Sequence, residues 1–331
     1  MTCAIVYNTH KWIMESVGMM EQIYQEILDR SLEPSAQSLT VEYLAQNLNS
    51  FLKRGERVLI CFPEHEEGSL SWLMEKAVLR CGAVPVVWGK DYRWKTLLRM
   101  AFFTKSSVFI GAPLIALGLM KLQKTYSIPL YIRKVITGGY PCLDWMADGI
   151  RQGFDCETGG CFGLGMSGVV AGFSCGHSPG VHIRDSEYGV DIVDDEDRPA
   201  LPGKAGRIVL YPKQKPLLRY APGEMAVLDP TPCACGCSAP RLVEISPGDT
   251  LDPDLLALGQ ELQSWNSILD CRLKKGQYGL EIELITFRGE KLPKLPSAAR
   301  QIIRPWDPDH DEPFWYVPKM EKNTEFSEEG S

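Results

Sequence analysis

The sequence predicts an α/β protein: a doubly wound, mostly parallel sheet with an adjoining β-rich region and a small C-terminal α+β lobe. Three observations lead there. Between about residues 55 and 140, short apolar runs alternate with amphipathic stretches, the signature of βαβ units. Beyond about residue 150 the chain changes to short strand-like runs separated by Gly, Pro and Asp. From about residue 250, helical and strand patterns return on a smaller scale. The expected organisation is a main domain over 1–245, whose β-rich part covers about 151–245. A small lobe over 246–320 and a disordered tail over 321–331 follow.

The elements follow in order. Residues 11–53 read as helices, with apolar residues three and four apart (Met20, Ile23, Ile27, then Leu44, Leu48, Leu52). Ser38 or Thr40 is a candidate cap for the second. ERVLICF after Gly55 is a buried strand, SLSWLMEKAVLRCG an amphipathic helix ending at Gly82, and AVPVVWG the next strand. TLLRMAFFTK (helix), SVFIGAP (strand), LIALGLMKLQKTY (helix) and IRKVITGG (strand) continue the alternation. A parallel sheet binds ligands beyond the carboxyl ends of its strands, where Ile110–Pro113 and Thr137–Tyr140 fall. YGVDIVD, GRIVLY, LLRYA and MAVLD read as short antiparallel strands. DLLALGQELQSW (helix), SILDCRLKK and LEIELITF (strands) and SAARQIIR (helix) make up the lobe.

A chain of 331 residues with 44% hydrophobic and 23% charged residues has the composition of an ordinary globular protein. No apolar run is long enough for a membrane span, and the first residues lack a secretion-signal pattern. Neither a membrane nor a nucleic acid is therefore expected as partner, the net charge of −7 also arguing against the latter. Eleven cysteines, several within apolar runs, suit a reducing, cytoplasmic setting better than a disulfide framework.

Cys175-x6-His182 is followed about fifty residues later by Cys233-Ala-Cys235-Gly-Cys237. Cys175, His182, Cys233 and Cys235 supply the soft and borderline donors of a closed tetrahedral zinc site, whose role would be structural. Cys237 and His177, each two residues from a favoured ligand, compete for the fourth position. Cys156 and Cys161 are spaced more loosely and offer a second metal or a redox pair. Gly163-x-Gly165-x-x-Gly168 spells a dinucleotide fingerprint, but no apolar strand precedes it and no long helix follows. A glycine loop that lets backbone amides approach a phosphate is the better reading. Glu64-His65-Glu66-Glu67, beyond a strand end, reads first as a solvated loop and second as an acid/base or metal cluster. Trp72, Trp88, Trp94 and Trp145 read as core and pocket walls.

Several segments between about 130 and 245 fall in one order: Gly138-Gly139-Tyr140-Pro141, Phe162-Gly163-Leu164-Gly165-Met166, Cys175 with Gly180-Val181-His182-Ile183, and Gly206-Arg207-Ile208-Val209. Leu218-Arg219-Tyr220-Ala221-Pro222-Gly223-Glu224 and Pro232-Cys233-Ala234-Cys235-Gly236 complete the set. In order and spacing this block resembles the phenylacetate–CoA ligase branch of the acyl-adenylate-forming enzymes. The resemblance covers about a third of the chain firmly. It implies a two-step reaction: a carboxylate attacks the α-phosphate of ATP, and the acyl adenylate then passes to CoA. It further implies nucleotide contacts from Gly138, Gly139, Tyr140, Phe162, Gly163, Gly165, Arg219 and Glu224. Glu224 stands where the family has an aspartate that holds the ribose.

The chain also departs from the pattern. It contains no Ser/Thr-Gly-rich phosphate loop. Met166 occupies the place of a glutamate that supports magnesium, and a thioether is a poor ligand for that hard cation. Gly165 replaces a hydroxyl residue, and no lysine, Lys319 and Lys322 included, has the flanks of the family's catalytic lysine. The expectation is therefore a ligase-like protein with altered chemistry, using ATP or AMP, possible magnesium, a carboxylate and CoA. The alternative is a non-catalytic relative that binds a nucleotide, an acyl-CoA or a partner enzyme.

Overall fold

The computed structural model describes residues 22–89, 91–164, 167–201, 203–248, 252–276 and 279–314. The chain divides into two compact units, Met1–Gly248 with Asp307–Trp315 and Asp249–Trp306 with Tyr316–Ser331.

In the first unit, helix α1 (22–31) leads into α2 (Pro34–Leu48). Glu33 is the N-cap of α2 and Pro34 opens it, with proline's fixed φ suited to the first turn. Ser38 and Thr40 therefore lie inside the helix and cap nothing, contrary to expectation. Strand β1 (Arg57–Cys61) is followed by α3 (Leu70–Arg80), whose N-cap Ser69 accepts from the Trp72 N–H at 3.3 Å. The alternation continues through β2 (Val84–Val87), α4 (Trp94–Thr104), β3 (Val108–Gly111), α5 (Pro113–Tyr126), β4 (Lys134–Thr137) and α6 (Asp144–Phe154). Lys105, Ser127 and Asp155 adopt positive φ just after α4, α5 and α6 and close those helices.

Strands β2, β1, β3 and β4 pair in parallel in that order, and β5 (Glu157–Gly163) joins β4 in parallel. Period-two alternation assigns the faces. Val58, Ile60, Val108 and Ile110 pack with α2 and α3 in one apolar cluster. Leu59 and Phe109, their fully buried neighbours along the strands, point to the opposite face. At β5 the sheet changes character. β5 pairs antiparallel with β6 (Val170–Phe173), and β7 (Val181–Ile183), β8 (Tyr188–Val193), β9 (Gly206–Pro212), β10 (Met225–Asp229) and β11 (Arg241–Ser246) continue antiparallel. The eleven strands run β2-β1-β3-β4-β5-β6-β7-β11-β10-β9-β8. The expected strand in LLRYA is only a single bridge between Leu210 and Tyr220, since Pro216 and Pro222 flank it and cannot donate to a ladder.

The second unit has helix α7 (Pro253–Ser264) and a sheet of β12 (Ile268–Gly276), β13 (Gly279–Thr286) and β14 (Arg300–Pro305). Leu255, Leu262, Ile268, Leu273, Ile282 and Leu284 form its core. The expected helix over SAARQIIR is a strand: Arg300–Pro305 pairs in parallel with β13. The β-branched pair Ile302–Ile303 favours the pleat.

Candidate metal centre and nucleotide-facing loops

Sheet register brings the four Cys and His side chains together. Cys175 lies two residues past β6, His182 is the middle residue of β7, and Cys233 and Cys235 sit in the β10–β11 connection. Because β7 pairs with β11, with His182 opposite Arg241, the two halves of the motif meet. The 233–236 turn closes through a Gly236 N–H to Cys233 O bond of 3.0 Å, with Gly236 at φ +83°. The ligand atoms of Cys175, His182, Cys233 and Cys235 all lie within 4.8 Å of one another. Cys175 Sγ is 3.5 Å from Cys233 Sγ, and Cys235 Sγ is 3.3 Å from His182 Nε2. Tetrahedral zinc with Zn–S bonds of about 2.3 Å requires sulfurs about 3.8 Å apart, close to this spacing.

The surroundings orient the donors. His182 Nδ1 donates to Ala239 O at 2.9 Å, which leaves Nε2 as the lone-pair nitrogen facing the thiols. Backbone N–H groups of His177 and Cys237 point at Cys175 Sγ and Cys235 Sγ, each at 3.4 Å. Hydrogen bonds from the Cys235 backbone and the Ser178 side chain hold the Cys233 thiol down to about 5. The Cys237 backbone N–H lowers the Cys235 thiol, but burial and the neighbouring Cys233 and Cys175 sulfurs push it up to about 11. Cys237 and His177, the competing candidates, are exposed; the His177 Nδ1 bonds its own neighbour's backbone, Cys175 O, at 2.9 Å.

Arg241, which sequence reasoning passed over, fastens the two loops. Its buried guanidinium donates to Pro179 O (3.0 Å), Asp229 Oδ2 (2.6 Å) and Thr231 Oγ1 (3.1 Å). Nothing in the local sequence signals this, because an arginine opening a strand is ordinarily solvated.

The Gly138–Tyr140 loop leaves the carboxyl end of β4. Gly138 N–H donates to Gly111 O at 3.1 Å, and Gly139 has φ +79°. A Cβ at Gly138 would lie 2.4 Å from Cys161 Sγ, so the approach of this loop to β5 requires glycine. Tyr140 is largely enclosed, and burial together with nearby Glu64 pushes its phenol up. The β4–β5 pairing, Thr137 opposite Gly160, brings this loop beside the end of β5, where Phe162 and Gly163 lie. Phe162 packs into an apolar cluster with Leu164, Val169 and Ala171. A Cβ at Gly163 would fall 1.9 Å from Val169 O. Gly165 and Met166 lie outside the described residues, as do Lys319 and Lys322. The Gly163–Gly168 run turns back into antiparallel β6 and opens no helix, so it is not a dinucleotide fingerprint.

Arg219 and Glu224, close in sequence, have different surroundings. Arg219 pairs with Asp191 at the surface and lies over the Tyr211 ring, 4.9 Å from its centroid. Glu224 immediately precedes β10, and its carbonyl accepts from Ile208 N–H at 2.9 Å. Its Oε2 is buried without a hydrogen-bond partner, and burial pushes the carboxyl up to about 7.

Of the remaining candidates, His65 does not join its neighbouring glutamates in a metal cluster. Its Nδ1 lies 2.9 Å from Ser71 Oγ and its Nε2 3.3 Å from Glu75 Oε2. Among the described residues, the Cys175 group is the one set of three or more such side chains whose donor atoms converge. Cys156 and Cys161 are free thiols, pushed up to about 11 and about 12 by burial. Trp88 and Trp94 are core residues, 1% exposed.

No family model and no curated protein matches the chain. Solved structures do. A 2-hydroxyisobutyryl-CoA ligase in the postadenylation state with 2-HIB-AMP superposes with a TM-score of 0.66 at 13% identity, covering 86% of this chain and 69% of that one. The fold is that of the adenylate-forming ligases. The same ligase in complex with 2-HIB-AMP and CoA in the thioesterification state gives a TM-score of 0.59 at 16% identity, with coverage of 76% and 58%. The anthranilate CoA ligase AuaEII in complex with anthranoyl-AMP gives 0.51 at 15% identity, with coverage of 81% and 59%. The chain thus spans between about three-fifths and seven-tenths of the ligases it superposes on.

Proposed function

We propose that this chain is an AMP-forming acid–CoA ligase-like protein of the phenylacetate–CoA ligase type, with altered chemistry and a structural zinc at Cys175, His182, Cys233 and Cys235. The observation that carries the nucleotide reading is Glu224. A buried carboxyl oxygen without a donor is costly unless a ligand supplies one. Ribose hydroxyls are such donors, and Glu224 stands where the resembled family binds them. The Gly138–Gly139 turn leaves the carboxyl end of β4, the end at which a parallel sheet binds its ligands.

In the proposed reaction a carboxylate oxygen attacks the α-phosphorus of ATP and the bond to pyrophosphate breaks. The CoA thiolate then attacks the acyl carbon, and AMP leaves. The ligases with this fold, captured with acyl adenylates and in one case CoA, support that class of substrate. Bound magnesium would neutralise charge on the phosphates. Met166, in the place of the supporting glutamate, does not fit that role, and no step is assigned to the metal. Zinc held by four protein ligands has no open position and would clamp the 175–182 segment to the 230s loop. A reducing, cytoplasmic setting suits its thiolates. We place the end of the main domain near residue 245, with the small lobe after it.

A second reading has its own support: Met166 and the lack of a phosphate-loop motif favour a non-catalytic protein that binds nucleotide, acyl-CoA or a partner enzyme. Pyrophosphate release from ATP and magnesium across a panel of carboxylates separates the two. Acid-dependent release that disappears in Glu224→Ala supports the ligase. An ATP-dependent rise in melting temperature without release supports the second reading, and neither response overturns both.

A further inference from the structure

The net charge of −7 hides a local excess of positive charge. Residues 92–143 contain no Asp or Glu and carry eight Lys and Arg residues. Some of these are engaged: Arg93 with Asp91, Lys95 with Asp309 and Lys134 with Glu56. Arg99, Lys105 and Arg133 are exposed instead, at the C-terminal half of α4 and in the loops entering β3 and β4, around the amino ends of the parallel strands. Large aromatic residues lie among them. Phe103 is 69% exposed, Phe102 and Tyr131 are also exposed, and the Phe102 and Phe103 rings contact each other at 5.2 Å between centroids. The cations sit on the rings: Arg99 is 5.9 Å from the Phe103 centroid and Lys105 Nζ 5.9 Å from that of Tyr131. The loops are backbone-linked, with Arg133 N–H donating to Ser107 O at 2.8 Å, so these groups share one surface. Asp155 and Glu157, beside Arg133, bound it on the β5 side.

We propose that this face is a peripheral docking surface for an anionic lipid bilayer. Exposed aromatic patches rimmed by charge mark interaction sites, and the absence of acidic residues across the segment selects an anionic partner. Phe103 protrudes from the last turn of α4, so the patch offers an anchor for a headgroup layer, which adapts to shape. Single-stranded nucleic acid stacks its bases on open rings, and Arg99 and Lys105 each lie over one face of Phe103 and Tyr131, which reduces the ring area open to stacking. The proposed nucleotide crevice lies at the opposite, carboxyl ends of the strands, so docking leaves it free.

Co-sedimentation of the full chain with phosphatidylcholine vesicles, with and without phosphatidylserine, tests the proposal. Binding should require phosphatidylserine and fall as salt is raised. Arg99→Gln with Lys105→Gln should weaken partitioning roughly 30-fold, and Phe102→Ser with Phe103→Ser should weaken it further. Lys204→Gln with Lys213→Gln, the same change in net charge elsewhere on the surface, should leave binding intact. Circular dichroism of each variant checks that the fold persists. Equal binding to neutral vesicles, or equal loss in the Lys204/Lys213 control, overturns the proposal. So does tight binding of an oligothymidine by protein that ignores phosphatidylserine vesicles.

Discussion

Glu224→Gln should stabilise the protein at alkaline pH, and the size of the gain follows from the geometry. The native carboxyl is pushed from 4.5 up to about 7 by burial, with no hydrogen-bond donor at Oε2. A shift of one pKa unit corresponds to about 1.4 kcal/mol, so ionised Glu224 costs the folded state about 3 kcal/mol. Between pH 4.5 and 7 the native state binds more protons than the unfolded state, so stability falls as pH rises through this window. Above about pH 7 the penalty is complete, and below about 4.5 it vanishes. Glutamine keeps the shape without the charge. The variant should therefore match the parent near pH 4.5 and exceed it by about 3 kcal/mol at pH 8, raising the melting temperature by about 6 °C or more. Calorimetric melts of both proteins across this range measure the difference. Equal melting temperatures at pH 8 would refute the claim that the carboxyl is buried and unpartnered. A nucleotide whose hydroxyls donate to the carboxylate should lower its pKa, so binding near pH 6.5 should release protons in the parent and not in the variant.

Serine at Cys233 and Cys235 together should abolish stoichiometric zinc and sharply lower stability, read by elemental analysis and thermal melts; unchanged metal content would sink the assignment. Arg241→Met leaves Asp229 without its buried partner and should cost about 3 kcal/mol in denaturant unfolding, while retained stability would show that the clamp is idle. Gly118→Ala should destabilise despite alanine's helix preference of about 1 kcal/mol, since its Cβ would lie 2.1 Å from the buried Trp94 ring. A Gly118→Ala protein as stable as the parent would contradict the α4–α5 packing. ATP at about a hundred times its dissociation constant should add about 2.7 kcal/mol of stability.

Much of the fold was legible. The alternation of RVLIC, VFIG and KVIT with amphipathic stretches marks the inner parallel strands, because a strand covered on both faces must be apolar; VPVV, at the sheet edge, is only partly buried. β5 was not legible as a strand: ETGGCFG has few β-branched or large side chains, and its place is fixed by close approach of Gly138 and by the ladders on either side. β14 was misread as a helix because local propensity in SAARQIIR competes with pairing to β13, a contact remote in sequence. The convergence of Cys175, His182, Cys233 and Cys235 was readable, since their chemistry and spacing are local to two segments. Arg241 was not, because its role depends on a β7–β11 register that no single segment reveals. The acid-free run over 92–143 stood in the sequence, masked by an acidic average.

Calorimetric titration with ATP and magnesium, then AMP, then CoA, tests the central claim most directly, using the parent and Glu224→Ala. Saturable nucleotide binding near micromolar, weakened by Glu224→Ala, is the expected result. Absence of any nucleotide binding, or equal affinity in the two proteins, would contradict it.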